Sequence, residues 1–118
     1  MKIYSGDTWT LEELQEQVAD AGRRSLVVPA ADSRKAVLEA FGEVLDFPEH
    51  YGVNLDALND SLHDFADAIT ENGGAPVTVL WLVAAPFRAD RSFGVLCEVL
   101  QDAERYAGRD LAVTAVLL

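Results

Sequence analysis

Apolar residues recur along this chain in two rhythms, one helical and one continuous, and the rhythms alternate. Thr10-Leu11-Glu12-Glu13 opens the first helical stretch: Thr10 is a candidate N-cap, Glu13 completes a capping box, and Leu11, Leu14 and Val18 keep helical spacing until Gly22. Leu26-Val27-Val28 is a short apolar run stopped by Pro29, which predicts a buried strand. Asp32 or Ser33 then caps a helix running to about Val44, with Ala36, Val37, Ala40, Phe41 and Val44 as its apolar face. Residues 47–54 predict a loop, because Pro48 pushes its predecessor out of the helical region and Gly52 permits a positive φ.

Asn54 is the candidate N-cap of a helix from Leu55 to about Ile69, and Asn72-Gly73-Gly74-Ala75-Pro76 forms the turn after it. Val77–Val83 is apolar at nearly every position, as expected of a central strand covered on both faces; Trp81 within it reads as core. A further helix starts at Asp90 or Ser92, passes through Val95, Leu96, Val99, Leu100 and Ala103, and ends near Gly108. Cys97 reads as buried filler on its apolar side. Residues 111–118 close the sequence as another apolar strand. The alternation predicts an α/β fold: a small three-stranded parallel sheet covered by helices, with an extra N-terminal helix, all in one domain over residues 1–118.

Charge changes this picture more than composition does. Twenty Asp and Glu stand against nine Lys and Arg, a formal net charge of −11. The segment from Ala36 to Phe87 holds nine of those twenty acids and none of the nine bases, so the negative charge is segregated. A phosphate backbone would be repelled at long range, whereas a basic partner would be attracted. The start of the sequence has no apolar run of signal-peptide length, and no stretch approaches the roughly 20 apolar residues that span a bilayer. Cys97 is the single cysteine, which excludes an internal disulfide and agrees with a reducing cytoplasm, the expected location.

On the Leu55–Ile69 helix, steps of about 100° per residue place Leu55, Leu58, Leu62, Phe65 and Ile69 on one stripe and Asp56, Asp60, Asp64 and Asp67 on the opposite one. Asp56 is explained by the positive end of the helix dipole. Asp60 and Asp64 lie deeper, where like charges four residues apart cost about 0.2–0.5 kcal/mol per pair. An ordinary solvated face is the plain explanation, but a surface that retains unfavourable charge is often complementary to something else.

The run from Phe47 to Leu62, with Pro48, Tyr51-Gly52, Asn54-Leu55-Asp56-Ala57-Leu58 and Asp60, resembles the signature of the barstar family, and the resemblance extends over residues 25–118. It implies an inhibitor, not an enzyme, directed at a small secreted guanyl-specific ribonuclease of the barnase type, with residues 1–24 as an N-terminal extension. Asp60 matches the family's aspartate that enters the nuclease active site, and Asp56 a neighbouring acidic contact. Tyr51, Gly52 and Asn54 match the preceding loop, and Asp102 falls at or near an acidic contact on the last helix. His50 replaces an aromatic residue and Asn59 replaces a Trp of the best-known members. The expected partner-binding residues are therefore His50, Tyr51, Gly52, Val53, Asn54, Asp56, Asn59, Asp60, His63, Asp64 and Asp102. The expected assembly is a monomer in a 1:1 complex with a basic microbial ribonuclease, with no cofactor, metal, nucleic acid or membrane.

Three other readings are open to these residues. His50 and His63 lie near several Asp residues and could act as general bases, although no Ser or Cys sits in a nucleophile motif. Asp60, His63 and Asp64 could hold a hard cation, although one helix rarely supplies a full shell. A barstar-like fold could also serve another basic toxin or regulator, since fold does not fix partner.

Overall fold

The computed structural model describes residues 1–48 and 51–118. Nine elements follow one another: β1 (Lys2–Ser5), α1 (Leu11–Asp20), β2 (Arg24–Val28), α2 (Arg34–Val44), α3 (Leu55–Asn72), β3 (Val77–Val83), α4 (Ala85–Arg88), α5 (Ser92–Ala107) and β4 (Leu111–Leu117). The strands form one sheet in the order β1-β4-β3-β2, and each neighbouring pair is parallel. The sheet therefore has four strands, not the three expected. The extra one is β1, which pairs Lys2 with Thr114 and Ser5 with Leu117. It is four residues long and mostly exposed, so Ile3-Tyr4 alone carries strand character, too little for a periodic signal. The segment before β2 is thus a strand and a helix, not a helix alone.

Alternation along the two central strands divides the interior. Val77, Val79, Trp81 and Val83 of β3, with Leu111, Val113 and Ala115 of β4, face α2, α3 and α5 in the larger core. Trp81 is fully buried there, in edge contact with Phe41 and Phe87. Leu80 and Val116 point the other way, under Leu14 of α1, with Tyr4 and Trp9 packed at the margin and their rings 5.6 Å apart. The N-terminal elements therefore cover the second face of the sheet, and Trp9 is packing.

Helix boundaries follow their caps. Thr10 and Glu13 form the capping box of α1. Ser33, not Asp32, caps α2, its hydroxyl accepting from the Ala36 N–H. The α5 helix begins at Ser92, whose N–H donates to Asp90 at 2.8 Å; that bond holds the Asp90 carboxyl below its ordinary range. Two expectations for α5 are corrected. Val95 is 44% exposed and off the core face, and Cys97 is only half-buried, though burial still pushes its thiol up. The single-turn α4 carries too few residues for a periodic signal. Among the described residues, no helix is long and apolar enough to cross a membrane.

Candidate functional site

The α3 helix is clamped by its apolar stripe. Leu58 and Leu62 are fully buried and Ala66 and Ile69 nearly so. Each large side chain so placed contributes about 1.5–3 kcal/mol relative to exposure, which fixes the rotation of the helix about its axis. With that rotation set, Asp56, Asp60, Asp64 and Asp67 all face solvent. The first three are spaced four residues apart and so span about 12 Å along one edge. Among the described residues, no Lys or Arg forms an ion pair with any of them.

Asp67 has a local partner. The Tyr106 hydroxyl of α5 donates to it at 2.6 Å, which pushes that hydroxyl above its ordinary pKa, with burial and the charges of Asp67 and Asp64 adding to the effect. His63 stacks on the same Tyr106 ring at 4.1 Å between centroids, and its Nδ1 lies 2.7 Å from the Asn59 carbonyl. Thr70 bonds Asp110 just beyond. These contacts hold the second half of α3 against the C-terminal end of α5 and the turn after it. Asp102 is exposed and paired with Arg105 of its own helix.

The loop before α3 is built from the same end. Asn54 caps the helix as expected: its Oδ1 accepts from the Ala57 N–H at 2.7 Å, and its Nδ2 donates to the Gly52 carbonyl at 3.3 Å. The expected positive φ is not at Gly52. It falls on Val53 at 48° and on Asp46 at 56°. For Val, a β-branched residue, this backbone is costly and persists because the half-buried side chain packs against the core. Gly52 instead allows close approach, since a Cβ there would lie 3.2 Å from Asn54 Nδ2.

Tyr51 lies across α2, its ring in edge contact with Phe47 at 5.0 Å. A Cβ on Gly42 would come within 2.8 Å of that ring, so the glycine inside α2 is what lets the loop seat. Burial pushes the Tyr51 hydroxyl up to about 12, and it has no hydrogen-bond partner among the described residues. Gly42 and Tyr106 were not among the expected site residues. An isolated glycine inside a helical pattern is a usable sign of close packing, but nothing local marks Tyr106.

The structure thus brings Tyr51, Gly52, Val53, Asn54, Asp56, Asn59 and Asp60 onto one loop and the helix it leads into, with Asp64 and His63 one turn further and Asp102 on the adjoining helix. His50 lies outside the described residues. Among the described residues, no group of three His, Cys, Asp or Glu is placed to hold a metal ion.

No curated protein matches the chain. A family model described as Barstar (barnase inhibitor) matches residues 22–118, from just before β2 to the end of the sequence. That match covers most of the chain, including the whole loop and the acidic helix, and the protein belongs to the barstar family.

Proposed function

We propose that this protein inhibits a secreted guanyl-specific ribonuclease by placing Asp60 where a substrate phosphate would bind. The observation that carries the reading is the exposed carboxylate row of Asp56, Asp60 and Asp64 on a helix whose other side is locked in the core, with no cation reaching it among the described residues. Ribonucleases hold phosphate with Arg, Lys and protonated His, and a carboxylate offers those donors a similar pair of anionic oxygens. Presentation from a packed helix avoids most of the ordering entropy that a flexible acidic tail would lose. The protein itself performs no catalytic step in this mechanism. Tyr51, Gly52, Val53 and Asn54 form the rim beside the anionic row, and Asp102 extends it from α5.

Asp60→Ala tests this directly. Truncating one member of a desolvated charge pair costs about 2–5 kcal/mol of binding, while loss of an exposed helix carboxylate changes stability by no more than about 0.5 kcal/mol. Inhibition of purified microbial ribonucleases, measured beside thermal unfolding, should show the first change without the second. An unaltered inhibition constant removes Asp60 from the site. A second reading, a different basic toxin as target, is favoured by Asn59, whose short amide stands where the best-known members of the family carry a Trp. A panel of guanyl-specific and unrelated basic nucleases separates the two.

A further inference from the structure

The sheet face under α1 is not uniformly apolar. Its upper part packs Leu80 and Val116 beneath Leu14, but toward the start of the strands the same face carries Thr78 and Thr114. Between α1 and these threonines lies a cavity of about 420 Å³, lined also by Leu14, Val18, Leu80 and Arg23. The volume is within the range of small-molecule sites, and an apolar lining with a few converging polar groups is their usual character.

Two features of the cavity suit it to an anionic head group. The first is Thr114, which is 7% exposed and lines the cavity; its hydroxyl has no protein hydrogen-bond partner among the described residues and opens into that space. A hydroxyl so placed can donate to an acceptor held in the cavity. The second feature is charge. Arg23 donates from Nε to the Thr78 hydroxyl at 2.8 Å, and from its two terminal nitrogens to the Arg109 and Val77 carbonyls, at 2.7 and 2.8 Å. That leaves two of its five N–H groups unused. It forms no ion pair among the described residues. Asp110 is near enough to feel the guanidinium but bonds the Thr70 hydroxyl. Glu104, the one carboxylate in the lining, is fully engaged: one oxygen pairs with the Met1 amino nitrogen at 2.8 Å and the other accepts from the Val113 N–H at 2.9 Å. Lys2 adds a second cation to the wall. In a protein of net charge −11, this cavity is locally positive.

We infer that the cavity between α1 and the sheet binds a small amphipathic carboxylate, its tail against Leu14, Val18 and Leu80 and its head accepting from Arg23 and the Thr114 hydroxyl. The site is on the sheet face opposite α3, so it is separate from the inhibitory surface. Octanoate serves as the probe, with octanol as its uncharged counterpart, each titrated into the ¹⁵N-labelled full chain to about 5 mM. Octanoate should give saturable shifts at the Arg23, Thr78 and Thr114 amides and bind at least about tenfold more tightly than octanol, the equivalent of one charge-assisted hydrogen bond. Thr114→Val should weaken octanoate by a similar factor, Thr114→Ser should restore it, and ribonuclease inhibition should be the same in all three proteins. The inference is overturned if octanoate gives no saturable shift there, if octanol binds equally well, or if Thr114→Val leaves octanoate affinity intact.

Discussion

Tyr51 shows how one residue couples the loop to the body of the protein. Its ring sits against Phe47 and over Gly42, and its hydroxyl is buried without a partner among the described residues. Burial disfavours the phenolate, so the folded state holds this group up to about 12 against an unfolded value near 10. The sign follows. The contribution to stability is complete below about pH 10 and is lost as pH climbs toward 12, because the unfolded chain releases the proton first. A difference absorbance titration of the protein against Tyr51→Phe should isolate this late ionisation, and a midpoint near that of free tyrosine would show that the ring is not seated as described. Asn54 is the other residue on which the rim depends. Asn54→Ala should lower stability by about 1 kcal/mol in chemical denaturation, through loss of the bond to the Ala57 N–H, and an unchanged midpoint would argue against the cap.

At the scale of elements, the α2–loop–α3 unit behaves as one block. Gly42→Ala gains about 1 kcal/mol of helix propensity but forces the Tyr51 ring aside, and overpacking of this kind costs about 1–3 kcal/mol. The expected outcome is a modest net loss of stability with a larger loss of ribonuclease affinity; higher stability with intact affinity would contradict the block. The same unit shows what was legible in sequence. The α3 helix announced itself through Leu58, Leu62 and Ile69 at helical spacing, and that period also placed Asp56, Asp60 and Asp64 on the far face. Strand β3 was equally plain, because six of its seven residues are buried and none is charged. Contacts between elements left no such trace. Tyr106 reaches His63 and Asp67 across 43 and 39 positions of sequence, and periodicity within α5 says nothing of that meeting. Val53 taking the positive φ beside Gly52 was hidden for a related reason, since tertiary packing of the Val side chain outweighed the local preference for glycine.

On the scale of the whole molecule, segregated charge sets the approach to any partner. With −11 overall and the acids concentrated between Ala36 and Phe87, a basic nuclease is drawn toward the α3 side before contact. Association should therefore slow as salt rises and the screening length falls to about 8 Å at physiological strength, with dissociation less affected. Stopped-flow rates at several ionic strengths check this, and a flat association rate would exclude steering. The pairing of β1 with β4 works on a different axis, that of time. Lys2 meets Thr114 and Ser5 meets Leu117, so β1 must wait for a strand more than a hundred positions later before it has a neighbour. During synthesis β1 and the segment bearing the anionic row both leave the ribosome before β4 does. Both faces of the sheet consequently close only with β4 in place, and a nascent chain stalled before Thr114 would leave the floor beneath α1 open.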